Sequence, residues 1–230
     1  SSVTAAKSVQ TCQNCPNGKF SAARGAVAED QCVLCPPGTR GNATFGGATG
    51  SVTCLNCKSG YFEKIPGVGG NNLTGTSKDL MICIYCPSGY NSPAAGSAFC
   101  HPCNNGEYQK ETGQTLCIQC PPGKYQPKPK QGFCFDCAMG QVTPNDGSVS
   151  CSKCIPGKYE NEERQSLCDI CSPGEYQELD GSRTAKLCPA GYMSSIFAAE
   201  SCRLCIPGTY QTEDGFSKCP ICIPGMYQAN

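Results

Sequence analysis

The chain has 230 residues, of which 23 are Cys, 27 Gly and 18 Pro, and it contains no Trp. Its 18 Lys and Arg balance 18 Asp and Glu, so no net charge steers it toward nucleic acid or an anionic membrane surface. The cysteine density is that of a disulfide scaffold in an oxidising compartment, not of a cytosolic chain, and no apolar run approaches the ~20 residues of a membrane span.

Residues 1–11 read as the end of a preceding repeat. Residues 12–82 carry Cys-x-x-Cys pairs beginning at Cys12, Cys32 and Cys54, spaced 20, 22 and 29 residues from the next start. Their extra length lies in Gly-rich polar stretches at 41–50 and 67–75, which read as surface insertions. Each insertion holds an Asn-x-Ser/Thr sequon, at Asn42 and Asn72. Both are candidate N-glycosylation sites, so N-linked glycans are expected partners of the surface.

Residues 83–230 repeat with a 17-residue step, from Cys83 through Cys100, Cys117, Cys134, Cys151 and Cys168 to Cys202 and Cys219. One start is missing: position 185 is Ala185, although its companion Cys188 is present. The last repeat is truncated after Tyr227, and the chain reads as a segment of a longer array. No signal peptide is visible, so a secreted chain would have lost it or carry it outside this segment.

Three residues after the second Cys of every pair stands a Gly, as in Gly106, Gly123, Gly140 and Gly157. Six of these follow Pro, and Pro-Gly suits a type II turn. Tyr108, Tyr125, Tyr159, Tyr176, Tyr210 and Tyr227 share the next position but one. Asp146-Gly147, Asp180-Gly181 and Asp214-Gly215 share another, and Asp-Gly predicts a two-residue hairpin. Each repeat thus reads as turn, short strand, hairpin turn, short strand, next Cys pair, with no helical periodicity. The predicted fold class is small, disulfide-rich and mostly irregular or short β. Units this small bury no core alone and are expected to stack as an elongated, solenoid-like rod of 17-residue hairpin repeats.

Two disulfide patterns fit the spacing. Either Cys-x-x-Cys closes on itself, or the second Cys of one motif joins the first of the next. A hairpin brings its distant ends together, and the small Cys-x-x-Cys ring belongs more to redox sites, which favours the second pattern. The expected pairs are then Cys15–Cys32, Cys35–Cys54, Cys57–Cys83, Cys86–Cys100, Cys103–Cys117, Cys120–Cys134, Cys137–Cys151, Cys154–Cys168, Cys188–Cys202 and Cys205–Cys219. Cys12 and Cys222 would pair beyond the segment, and Cys171 would be the free thiol, open to an intermolecular bond. Self-closing motifs would instead leave Cys188 free.

Zinc is the chemical rival, since paired Cys-x-x-Cys motifs resemble a zinc ribbon. The unbroken run of motifs, the Gly after every pair and the sequons weigh against it, so no metal, cofactor-binding or catalytic residue is expected and the chain is not read as an enzyme. His101 is the single histidine and belongs to no catalytic constellation. The acidic run from Glu160 to Glu163 reads as a solvated edge, and the Tyr column reads as cover for neighbouring disulfides.

The segment Cys117-Ile118-Gln119-Cys120-Pro121-Pro122-Gly123-Lys124-Tyr125 resembles the ephrin-receptor-like cysteine-rich repeat, as do Cys151 to Tyr159 and Cys202 to Tyr210. It is also similar to the small modules of tumour-necrosis-factor-receptor ectodomains. The resemblance implies extracellular, elongated, non-enzymatic modules found in receptors, adhesion proteins, surface coats and flagellar hairs. The expected role is a spacer, filament or surface-coat segment outside the cell, partnered by other proteins, copies of itself included. The alternative is a ligand-binding ectodomain of a receptor or adhesin.

Overall fold

A turn follows the second Cys of each pair, and the Gly in it sets the course of the repeat. In the computed structural model, which describes residues 15, 19–23, 28–41, 53–63 and 83–227, Gly123 has φ +79° and the Lys124 N–H donates to the Pro121 carbonyl at 3.0 Å. That is the expected β-turn, with Gly at the positive-φ position. The strand Lys124–Tyr125 leaves the turn and pairs antiparallel with Phe135–Asp136, Lys124 opposite Asp136 and Tyr125 opposite Phe135. The same pairing joins Glu107–Tyr108 to Ile118–Gln119, Gln141–Val142 to Ser152–Lys153, and Lys158–Tyr159 to Asp169–Ile170.

Two details differ from the sequence expectation. The returning strand lies inside the next Cys-x-x-Cys, not before it, so the disulfide closes the ladder one residue short of it. The Asp-Gly pairs do not make two-residue hairpins either. Gly147 sits in the middle of a wide arc, 143–151, between its strands. Its φ is +69°, and its N–H reaches out of the arc to the Cys120 carbonyl of the preceding repeat at 2.8 Å. The corresponding residues of alternate repeats are Lys130, Arg164 and Ala198, with φ of 63°, 66° and 53°. A left-handed non-Gly residue costs roughly 1–2 kcal/mol. Here the same outward hydrogen bond holds it, from Lys130, Arg164 and Ala198 to the carbonyls of Cys103, Cys137 and Cys171.

Described residues up to Cys103, with Gln109–Cys117 and Lys130–Gly132, form one compact unit; Asn104–Tyr108, Ile118–Pro129 and residues from Phe133 onward form another. Within each, successive closed loops (hoops) from Cys57 onward are bonded through the backbone among the described residues. In the second unit, hoop 120–134 holds hoop 137–151 by Gly123 N–H to Thr143 O at 2.9 Å, Gln126 N–H to Ser148 O at 3.0 Å, and Gly147 N–H to Cys120 O at 2.8 Å. In the first, Gly89 N–H to Gln109 O and Gly113 N–H to Cys86 O are the same rungs. Gly123 also lies so close to the Arg164 carbonyl, two hoops on, that an added Cβ would stand 1.9 Å from its oxygen. Backbone, not side chain, fills the space between hoops.

Little apolar surface is buried. The second Cys of each pair from Cys86 to Cys188 is wholly inaccessible, and among the described residues only Val142 and Ala199 join the cysteines in the buried hydrophobic set. Among the described residues the single helical piece is the 3-10 turn Glu29–Gln31, and no helix is long and apolar enough to cross a membrane.

Candidate functional site

The recurrent chemical feature is sulfur. Among the described residues, disulfides join Cys15 to Cys32, Cys35 to Cys54, Cys57 to Cys83, Cys86 to Cys100, Cys103 to Cys117 and Cys120 to Cys134. They also join Cys137 to Cys151, Cys154 to Cys168, Cys188 to Cys202 and Cys205 to Cys219. Each hoop runs from the second Cys of one pair to the first of the next. The antiparallel strands bring those two Cα atoms to between 5.5 and 5.8 Å, inside the range a disulfide needs.

Two described cysteines are free, Cys171 and Cys222. Ala185 stands at the position where every neighbouring hoop has its bonding Cys, the partner that Cys171 lacks. The Cys171 thiol is completely buried, and burial, followed by the nearby Glu175 carboxylate, pushes its pKa above the ordinary thiol value. An intermolecular bond at Cys171 therefore has no access in this conformation. Cys12 and the sequons at Asn42 and Asn72 lie outside the described residues.

A second buried column went unread in the sequence. The residue after the Tyr position turns inward: Gln109, Gln126, Thr143, Glu160, Gln177 and Ser194 are all buried. The Gln126 amide Nε2 donates to the Phe133 carbonyl at 2.7 Å, and its Oε1 accepts from the Lys128 N–H at 3.1 Å. Gln109 makes the same two bonds with Leu116 and Glu111, and Gln177 with Thr184 and Leu179. One amide thus satisfies two backbone groups inside the arc, as buried polar groups require. Glu160 occupies this column with Oε1 accepting from the Glu162 N–H at 3.0 Å. The acidic run is therefore not a solvated edge throughout: Glu160 is inside, while Glu162 and Glu163 are exposed. Four of the Tyr column, Tyr108, Tyr125, Tyr159 and Tyr176, are half-buried beside it, whereas Tyr210 and Tyr227 are exposed.

His101 is exposed and stands edge-on to Phe99, with ring centroids 5.0 Å apart. Among the described residues no group of three His, Cys, Asp or Glu side chains gathers where it could hold a metal ion.

Residues 106–154 and 143–188 match the family model described as tyrosine-protein kinase ephrin type A/B receptor-like. These segments are ephrin-receptor-like cysteine-rich repeats. The hoop geometry continues on both sides of the ephrin-receptor-like segments, from Cys86 to Cys100 before them and from Cys188 to Cys219 after them. No curated protein matches the chain. The matched segments and the hoop fold resemble disulfide-rich extracellular repeat modules, which points to an extracellular or cell-surface location.

Proposed function

We propose that this chain is an extracellular structural segment, a spacer in a surface coat, stalk or filament, made by repetition of one disulfide hoop. The observation that carries this reading is the identity of the joints. In both units each hoop presents the same N–H and carbonyl groups to the next: Gly89 to Gln109, Gly106 to Gln126, Gly123 to Thr143, Gly140 to Glu160, Gly157 to Gln177. Joints made of backbone leave side chains free to vary, so length is set by repeat number and not by a particular surface. Stacking of successive like units is how repeat proteins make extended supports.

Immunogold electron microscopy of native cells, with antibodies to the 17-residue repeats, tests the proposal. Label in an ordered extracellular layer, stalk or fibre is expected. Label confined to the plasma membrane and clustering on addition of a ligand would instead favour a receptor or adhesin. That second reading has one structural feature behind it. Phe133 and Phe135 are 51% and 42% exposed, with ring centroids 5.0 Å apart, and Tyr125 adjoins Phe135. Exposed aromatic clusters are common at protein contacts.

A further inference from the structure

At Ala185 the array lacks the sulfur that closes each neighbouring hoop. Each of the other hoops between Cys86 and Cys219 is bridged by a disulfide, so pulling or partial denaturation can unstack it but not unroll it. From Cys171 to Ala185 nothing covalent bridges the arc.

What holds this arc is entirely non-covalent. Inside it, Gln177 Nε2 donates to the Thr184 carbonyl at 2.6 Å and Gln177 Oε1 accepts from the Leu179 N–H. At its mouth, Lys186 forms an ion pair with Glu178 and stands 5.8 Å over the Tyr176 ring, and Glu175–Tyr176 pairs with Lys186–Leu187. Neighbouring hoops add rungs: Gly181 N–H to Cys154 O, Glu160 N–H to Ser182 O, Gly174 N–H to Ser194 O and Gln177 N–H to Ala199 O. Cys171 itself donates its N–H to Gly157 O and accepts from Ala198 N–H, so its backbone is fixed as in a closed hoop while its thiol stays buried.

We infer that the arc from Cys171 to Ala185 is a latch: it opens before its disulfide-closed neighbours, and in opening it uncovers the Cys171 thiol. Local opening of this kind is a separate, lower-energy event than loss of the whole fold. The basis is the covalent topology around Ala185, so the latch stands whether the chain serves as a spacer or as a receptor ectodomain.

The test is pulsed labelling of the full, unreduced chain with N-ethylmaleimide across a guanidinium series. Residual free thiols are then blocked with the isotopic reagent, and the label is located by peptide mass. The partly exposed Cys222 thiol is expected to label fast in buffer. Cys171 is expected to label at least about 100-fold more slowly, yet well before the near-ultraviolet dichroism of the fold is lost, with a shallower denaturant dependence. In the Ala185→Cys variant, label at Cys171 should vanish. Should that variant fail to form the bond, the unmodified chain still decides. Cys171 labelling as fast as Cys222 in buffer, or only together with global unfolding, overturns the latch.

Discussion

Gln126 and Phe133 meet across the inside of one hoop, the amide nitrogen of the first 2.7 Å from the carbonyl oxygen of the second. Gln126 is wholly buried, so this contact stands where a larger protein would place an apolar side chain. Replacing it with Ala removes the partner of the Phe133 carbonyl and of the Lys128 N–H together. Each internal hydrogen bond of this kind contributes ~1 kcal/mol. Gln126→Ala should therefore lower the stability of the unreduced chain by about 2 kcal/mol or more in guanidinium unfolding. Gln211→Ala is the control. Gln211 is only partly buried, its bond to the Lys218 carbonyl is 3.4 Å long, and the Thr212 and Glu213 N–H groups that its Oε1 accepts from belong to exposed residues, so the loss there should be smaller, about 1 kcal/mol or less.

Gly123 carries two constraints at once, a φ of +79° and a carbonyl oxygen where its Cβ would be. Gly208 carries only the first: φ is +82° and no described atom lies within 4 Å of its hypothetical Cβ. Gly208→Ala should cost roughly 1–2 kcal/mol. Gly123→Ala should cost clearly more, since the obstructing Arg164 oxygen is backbone and cannot swing away. Comparing the two denaturation midpoints isolates the close approach between hoops.

Ala185→Cys should join residue 185 to Cys171, because the surrounding strands keep the geometry of the closed hoops. The gain expected from closing a loop of about 15 residues is ~3 kcal/mol. Thiol titration in denaturant should find one free thiol fewer than in the unmodified chain, with a matching rise in the denaturation midpoint.

The buried Cys171 thiol gives the fold an alkaline weakness. Its folded pKa is raised, chiefly by burial, so its contribution is whole below the ordinary thiol pKa of about 8.5. That contribution falls away as pH climbs from there through the raised folded value, since only the opened state ionises freely. Tyr159, raised by burial and then by the Asp169 carboxylate, adds to the same trend at higher pH. The unmodified chain should lose stability as pH rises above roughly 8.5, and Cys171→Ala should lose less over the same rise. Equal losses in both would remove Cys171 as the cause.

The repeat step, the Gly turns and the short strands could be read from spacing, because Gly at a positive-φ position and Cys at hairpin ends leave fixed marks in a sequence. The buried polar column could not. Gln109, Thr143, Glu160 and Ser194 share a position but no chemistry that periodic apolarity would reveal, and Gln and Glu are ordinarily surface residues. Position alone was the available signal: the residue after the Tyr column is polar in every repeat from Ser92 to Gln211. The Asp-Gly pairs misled for a related reason. Their local preference for a two-residue turn is overridden by the Gln177 and Thr143 side chains and by bonds to the preceding hoop, which hold the arc wide. Lys130, Arg164 and Ala198 adopt the conformation that Gly takes in alternate repeats, and no propensity marks them for it.

In this fold disulfides joining successive motifs take the place of an apolar core. Peptide mapping of the unreduced chain, digested at acidic pH to prevent exchange, tests it most directly. Links from Cys120 to Cys134, Cys137 to Cys151, Cys154 to Cys168 and Cys188 to Cys202, with Cys171 as a thiol, are the predicted result. Links within single Cys-x-x-Cys motifs, with Cys188 as the thiol, would contradict it.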